Sequence, residues 1–206
     1  MTGRIANRAA ALAMTAAVTA FASGAMAQDT VRVRGAVERV DGGTYVIKSR
    51  DGAELKVTLA DNALIVAIIK ASLSDIKPGM FIGATGMPQI DGSQKAVEVH
   101  IFPEAMRGTG EGHYPWDLQP QSTMTNANVE QAVTGVDGQT LTVKYKDGDK
   151  KILVPPGCPV VTYMPGDKTE IKPGVKIFIA AAKKLADGTL QAPRINYGKD
   201  GLTPPM

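Results

Sequence analysis

His100 stands two residues after Glu98 in Val97-Glu98-Val99-His100-Ile101, so on a strand the carboxylate and the imidazole share one face. Val97, Val99 and Ile101 fill the alternate positions, which predicts that the Glu98/His100 face points outward. Glu104, Glu111, His113 and Asp117 follow within reach of a folded-back segment. The chain has two histidines. Two imidazoles with carboxylates, drawn from Glu98, His100, Glu104 and His113, make a candidate set for zinc or copper(II). Against a metal, the histidines form no His-x-His or His-x₃-His pair, and the methionines form no Met-x-Met cluster.

The segment 104–128 is the stretch that folding explains least. Gly108-Thr109-Gly110-Glu111-Gly112-His113-Tyr114-Pro115-Trp116-Asp117 alternates glycines and then presents the chain's one tryptophan. A bare linker is Ser/Gly- or Pro-rich and lacks large aromatics. Three readings stay open. Tyr114 and Trp116 could wedge between two folded units and set their angle. The segment could form a ligand surface, with Arg107, Glu111, His113, Tyr114, Trp116 and Asp117 as contacts. It could also meet another protein. The glycines do not make a nucleotide loop, because no Gly-Lys-Ser/Thr follows and Pro115 stands where the helix would start.

Catalytic patterns are not evident. The chain has no Gly-x-Ser-x-Gly elbow, and Cys158, its one cysteine, has no sequence-level histidine partner. In Pro156-Gly157-Cys158-Pro159-Val160-Val161 it reads as a small buried hydrophobe.

The elements that must position these residues are written twice. Ala36-Val37, Asp41-Gly42, Thr44, Lys48 and Asp51-Gly52 recur as Ala132-Val133, Asp137-Gly138, Thr140, Lys144 and Asp147-Gly148, about 96 residues on. Ile76-Lys77-Pro78-Gly79 recurs as Ile171-Lys172-Pro173-Gly174, and Asp91-Gly92 as Asp187-Gly188. Within each copy, short β-branched runs such as Leu55-Lys56-Val57-Thr58-Leu59 alternate in and out between Asp-Gly turns. Ser72 is placed to cap one helical turn that Pro78-Gly79 ends. In the second copy the places of Glu98 and His100 are taken by Arg194 and Asn196, so the repeated unit itself requires neither.

This pattern predicts an all-β protein of two tandem small antiparallel barrels, each with a short helical turn. OB-like topology fits best; an SH3-like barrel or a sandwich is the alternative. The expected organisation is a first barrel at 28–103, a linker at 104–128, a second barrel at 129–197 and an extended tail at 198–206, docked or loose.

Gly35-Ala36-Val37-Glu38-Arg39-Val40-Asp41-Gly42, Asp75-Ile76-Lys77-Pro78-Gly79 and Val97-Glu98-Val99-His100-Ile101-Phe102-Pro103-Glu104 together resemble the DUF5666-like family of exported bacterial domains. The resemblance spans both repeats. It implies a periplasmic OB-like barrel and brings no catalytic residues with it.

The N-terminus agrees with export. Arg4 and Arg8, the apolar run Ala9 to Phe21 and the small-x-small site Ala25-Met26-Ala27 predict a signal peptide over 1–27, cleaved after Ala27. That run is shorter than the ~20 residues of a membrane span. Removing residues 1–27 takes away Arg4 and Arg8 and lowers the formal charge from +3 to +1. With both signs interspersed, no basic stripe for nucleic acid remains. The expectation is a non-catalytic periplasmic binding or accessory protein, whose small ligand or envelope partner contacts the inter-repeat segment. The alternatives are a zinc- or copper-binding protein and a structural envelope component.

Overall fold

The computed structural model describes residues 30–206, so the expected signal peptide at 1–27 lies outside the described residues. The described chain is all-β, its helices being single 3₁₀ turns, and no helix is long and apolar enough to cross a membrane.

The first repeat opens with β1 (Thr30–Asp41), β2 (Thr44–Ser49) and β3 (Glu54–Lys70), then β4 (Phe81–Pro88) and β5 (Gln94–Ile101). A short β6 (Gly112–Pro115) follows. The second repeat supplies β7 (Thr123–Gly135), β8 (Gly138–Tyr145), β9 (Gly148–Val154), β10 (Val160–Pro165), β11 (Lys176–Lys184) and β12 (Leu190–Gly198). Turn chemistry sets the hairpins as expected. Asp41 pairs with Thr44 across Gly42 and Gly43, whose φ values of 54° and 90° give the twist a two-residue hairpin needs. Ser72 caps the turn Leu73–Asp75, its Oγ accepting from the Ser74 amide while its own amide donates to Asp75. In the second copy Asp167 caps Lys168–Glu170 in its place.

The strands close into rings. β1 pairs with β2, β2 with β3, β3 with β12 in parallel, β12 with β11, and β11 back to β1, which makes a five-strand barrel. A second ring runs β7, β8, β9, β5, β4 and back to β7, with β9 and β5 parallel over two residue pairs. Val33, Val37, Ile47, Val57, Ile179 and Ile195 fill the first interior. Ile82, Val99, Val129, Leu141, Val143 and Ile152 fill the second.

The tandem arrangement therefore needs correcting. Neither 28–103 nor 129–197 is a self-contained barrel, because each ring takes three strands from one repeat and two from the other. The cause is β3. The alternating run Leu55-Lys56-Val57-Thr58-Leu59 reads as one short strand, but the apolar run Leu64-Ile65-Val66-Ala67-Ile68-Ile69 carries it on to Lys70, 17 residues in all. At about 3.3 Å per residue such a strand covers roughly 55 Å. The chain is thereby delivered beyond its own ring, and β4 and β5 join the other one.

The far half of β3 pairs antiparallel with β10, which also pairs parallel with β5 and so joins the two rings. Its partners include Ala67 with Met164 and Ile68 with Tyr163. At the repeat spacing these two pairs are images of one another, so the exchanged halves meet about a local two-fold axis.

The linker boundary also moves. Residues 123–128 belong to β7, which pairs with β4 on one side and with β6 on the other. The tail is docked: Met206 is 1 % exposed, and a main-chain oxygen of Met206 accepts from Arg34 Nε at 2.8 Å.

Candidate functional site

Between the rings lies a cleft of about 310 Å³. The first ring contributes Arg32 from β1, Phe178 and Ala180 from β11, and Arg194 and Asn196 from β12. The second contributes His100 from β5 and Met124 and Asn126 from β7. Tyr163 comes from the joining strand β10. The inter-repeat segment roofs it with Met106, Thr109, Gly110, Tyr114 and Trp116, and Phe102 and Met206 complete the wall.

His100 is anchored from behind. Glu98 is fully buried and His100 is 3 % exposed. The imidazole Nδ1 lies 3.1 Å from Glu98 Oε2, and Glu98 Oε1 accepts from the Thr85 hydroxyl at 2.6 Å and the Thr85 amide at 3.1 Å. A carboxylate there accepts, so Nδ1 carries a proton and Nε2 is turned toward Gly83 and Asn126. Gly83 is required for this: a Cβ on it would fall on the His100 ring and on Asn126 Oδ1. The imidazole stands edge-on to Phe102 (4.8 Å) and Tyr163 (5.7 Å).

Asn126 ties the roof to the second ring. Its Nδ2 donates to the Thr109 carbonyl at 3.0 Å and lies 3.2 Å from the Tyr114 hydroxyl. Because the Thr109 carbonyl can only accept, the amide orientation is determined and Oδ1 is buried without a donor among the described residues. Trp116 Nε1 is likewise buried without a partner among the described residues.

The opposite wall is cationic and aromatic. The Arg32 guanidinium lies 3.9 Å from the Trp116 ring centroid, and Arg34 sits 5.0 Å from that of Phe178. Both arginines contact Asp117, at 3.3 and 2.8 Å. Burial alone would raise the Asp117 carboxyl, but the hydrogen bond from Arg34 and the charges of Arg34 and Arg32 hold it below the usual carboxylate range. Arg194 Nε donates to Asn196 Oδ1 at 2.9 Å, and its guanidinium lies 5.4 Å from the Tyr163 ring. Burial lowers its pKa, opposed by Tyr163. Burial, and after it the charge of Glu98, pushes the Tyr163 phenol up.

The structure brings Glu98 and His100 together and sets His100 in one cleft with Tyr114 and Trp116, while Asp117 braces the rim. The Glu98/His100 face is not outward: from Glu98 to Ile101 β5 is buried on both sides, with Thr85 bonded to Glu98 and with Phe102 and Tyr163 packed on His100. The other candidates lie elsewhere. Arg107 bonds Glu104 at 2.6 and 2.7 Å, the Gly79 carbonyl at 2.9 Å and Asn128 Oδ1, so its donors serve the fold rather than an anion. Glu111 is exposed. His113 sits behind the cleft, Nδ1 on Thr125 Oγ1 at 2.8 Å and its ring stacked on Tyr145.

Glu98, His100, Glu104 and His113 thus form no common centre. Among the described residues no group of three or more His, Cys, Asp or Glu side chains could hold a metal ion. Cys158 is half-buried against the second core, and burial, aided by Glu98, pushes its thiol up to about 12.

Sequence reasoning missed Arg32, Asn126, Tyr163, Phe178 and Arg194. One signal was present: Arg194 and Asn196 occupy the repeat positions of Glu98 and His100, and Arg194, Asn196 and His100 all line the same cleft.

No protein-family model matches the chain, and neither a curated protein nor a solved structure matches it.

Proposed function

We propose that this is an exported, non-catalytic binding protein whose ligand seats in the cleft beneath residues 104–117. The observation that carries the reading is the cleft itself. Its volume of about 310 Å³ lies in the range of small-molecule sites, and its lining is mainly apolar, with Phe102, Tyr114, Trp116, Tyr163 and Phe178 beside placed polar groups. An aromatic roof serving only as mortar would close this space rather than leave it. The order β1-β2-β3-β12-β11, with β3 and β12 parallel, supports an OB-like reading of the first ring. The order β7-β8-β9-β5-β4, with β9 and β5 parallel, supports the same reading of the second. On that reading the protein is a pair of OB-like barrels that have exchanged their last two strands, and the site lies at the exchange. The resemblance to exported bacterial domains supports a periplasmic setting.

Trp116 is the chain's one tryptophan and lines the cleft, so its emission is a direct reporter. Titration of the mature protein with a panel of small organic acids, amines, sugars and their neutral analogues should give a saturable change with one class. Emission that no class moves, together with no heat of binding, would overturn the reading.

A further inference from the structure

We infer that the cleft takes a small organic carboxylate with an apolar body, its charge resting on the Arg194 guanidinium and its body among the aromatic rings. This inference rests on the cleft being a binding site and adds the chemical class.

Of the two arginines that line the cleft, Arg194 is the one without a carboxylate partner among the described residues. Arg32 and Arg34 share Asp117, and Arg34 also donates to Met206. Arg107 is taken by Glu104. Arg194 makes no salt bridge to a carboxylate among the described residues. Its Nε serves Asn196, and an outer nitrogen reaches only the Met106 sulfur at 3.7 Å, a weak acceptor. Glu98, the carboxylate whose charge is felt nearby at Tyr163, has its oxygens occupied by Thr85 and His100. A partly buried guanidinium with open N–H donors is the group that carboxylates engage through two parallel hydrogen bonds.

The rest of the cleft selects against other classes. Aromatic walls can hold a quaternary ammonium, but the guanidinium of Arg194, which has no carboxylate partner among the described residues, lines this one and repels a cation. A dianion such as a phosphate monoester would want a second open cation, and Arg32 is already paired with Asp117. A single negative charge is therefore the better match. The volume of about 310 Å³ corresponds to on the order of ten waters at about 30 Å³ each, hence to a ligand of roughly that many non-hydrogen atoms. Phe102, Tyr163 and Phe178 supply the surface for its apolar part.

The test uses the mature full-length chain with phenylacetate, its neutral isostere phenylacetamide and the cation phenethylamine, followed by calorimetry and Trp116 emission. Phenylacetate should bind one to one, phenylacetamide about tenfold or more weakly, and phenethylamine not at all. Arg194→Gln should lower phenylacetate affinity about tenfold and leave the weak phenylacetamide binding unchanged, while Arg194→Lys keeps part of the difference. Equal binding of acid and amide, or a phenylacetate affinity indifferent to Arg194→Gln, overturns the carboxylate assignment and leaves the cleft as a site for neutral ligands. Silence from all three probes overturns the assignment as well; if the wider panel also leaves Trp116 unmoved, the binding reading falls with it. Should Arg194→Gln not fold, the three-probe series on the unaltered protein decides the matter.

Discussion

Glu98 Oε2 and His100 Nδ1 lie 3.1 Å apart in an interior that leaves the carboxylate 0 % and the imidazole 3 % exposed. An acid and a base so enclosed hold each other in place, and removing one strands the other. His100→Ala is expected to cost about 3–5 kcal/mol. Glu98→Gln keeps the shape and some of the hydrogen bonding to Thr85, so it should cost less, about 1–3 kcal/mol. The double variant should cost less than the sum of the two. Urea unfolding of all three proteins measures this, and strict additivity would mean that the pair is not coupled.

Trp116 packs on Arg32, Phe178 and Tyr114 and belongs to the cluster of Ile68, Val161, Phe178 and Met206 between the rings. It is only partly buried, so Trp116→Ala should destabilise by about 3 kcal/mol, the low end for an aromatic truncation. Thermal melting is the measurement. A loss under about 1 kcal/mol would show that the roof of the cleft contributes little to holding the rings together.

Because β4 and β5 complete a ring begun by β7, β8 and β9, the first repeat by itself cannot close a barrel with the connections seen here. Residues 28–103 made alone should remain unfolded or associate in pairs that reciprocate the exchange. Sedimentation of that fragment, and of the two halves co-expressed, would test this; a folded monomer of 28–103 would contradict it.

Burial, and then the charge of Lys150, lowers the His113 pKa below its ordinary value of 6.5. The unfolded chain therefore takes up this proton at higher pH than the folded one. The contribution is fully present above about pH 6.5 and is lost as the pH falls through the folded pKa. His113→Gln should flatten the decline in Tm between about pH 7 and 5. Parallel Tm-versus-pH curves for the two proteins would sink the assignment.

What the sequence determined by itself is local and periodic. The Asp-Gly hairpins, the Ser72 cap, the alternating strand faces and the duplication were all legible, because each depends on residues within a few positions of one another or on a pattern that recurs. The aromatic segment was legible as something other than a linker, since Tyr114 and Trp116 have no place in a solvated chain.

Only the tertiary structure decided partnership. The apolar run 64–69 is in the sequence, but nothing local says that it continues β3 to Lys70 and pairs with β10 and β12, and that pairing determines which repeat completes which ring. The same exchange covers the outer face of β5, so Glu98 and His100 are buried where alternation predicted solvent. It also sets Arg194 in one cleft with His100, and leaves Arg107, the more conspicuous cation in the sequence, bound to Glu104, Asn128 and the backbone. Pairing between strands far apart in the chain is chosen by strand length, direction and the apolar area that closure removes from water, and these are properties of the whole assembly.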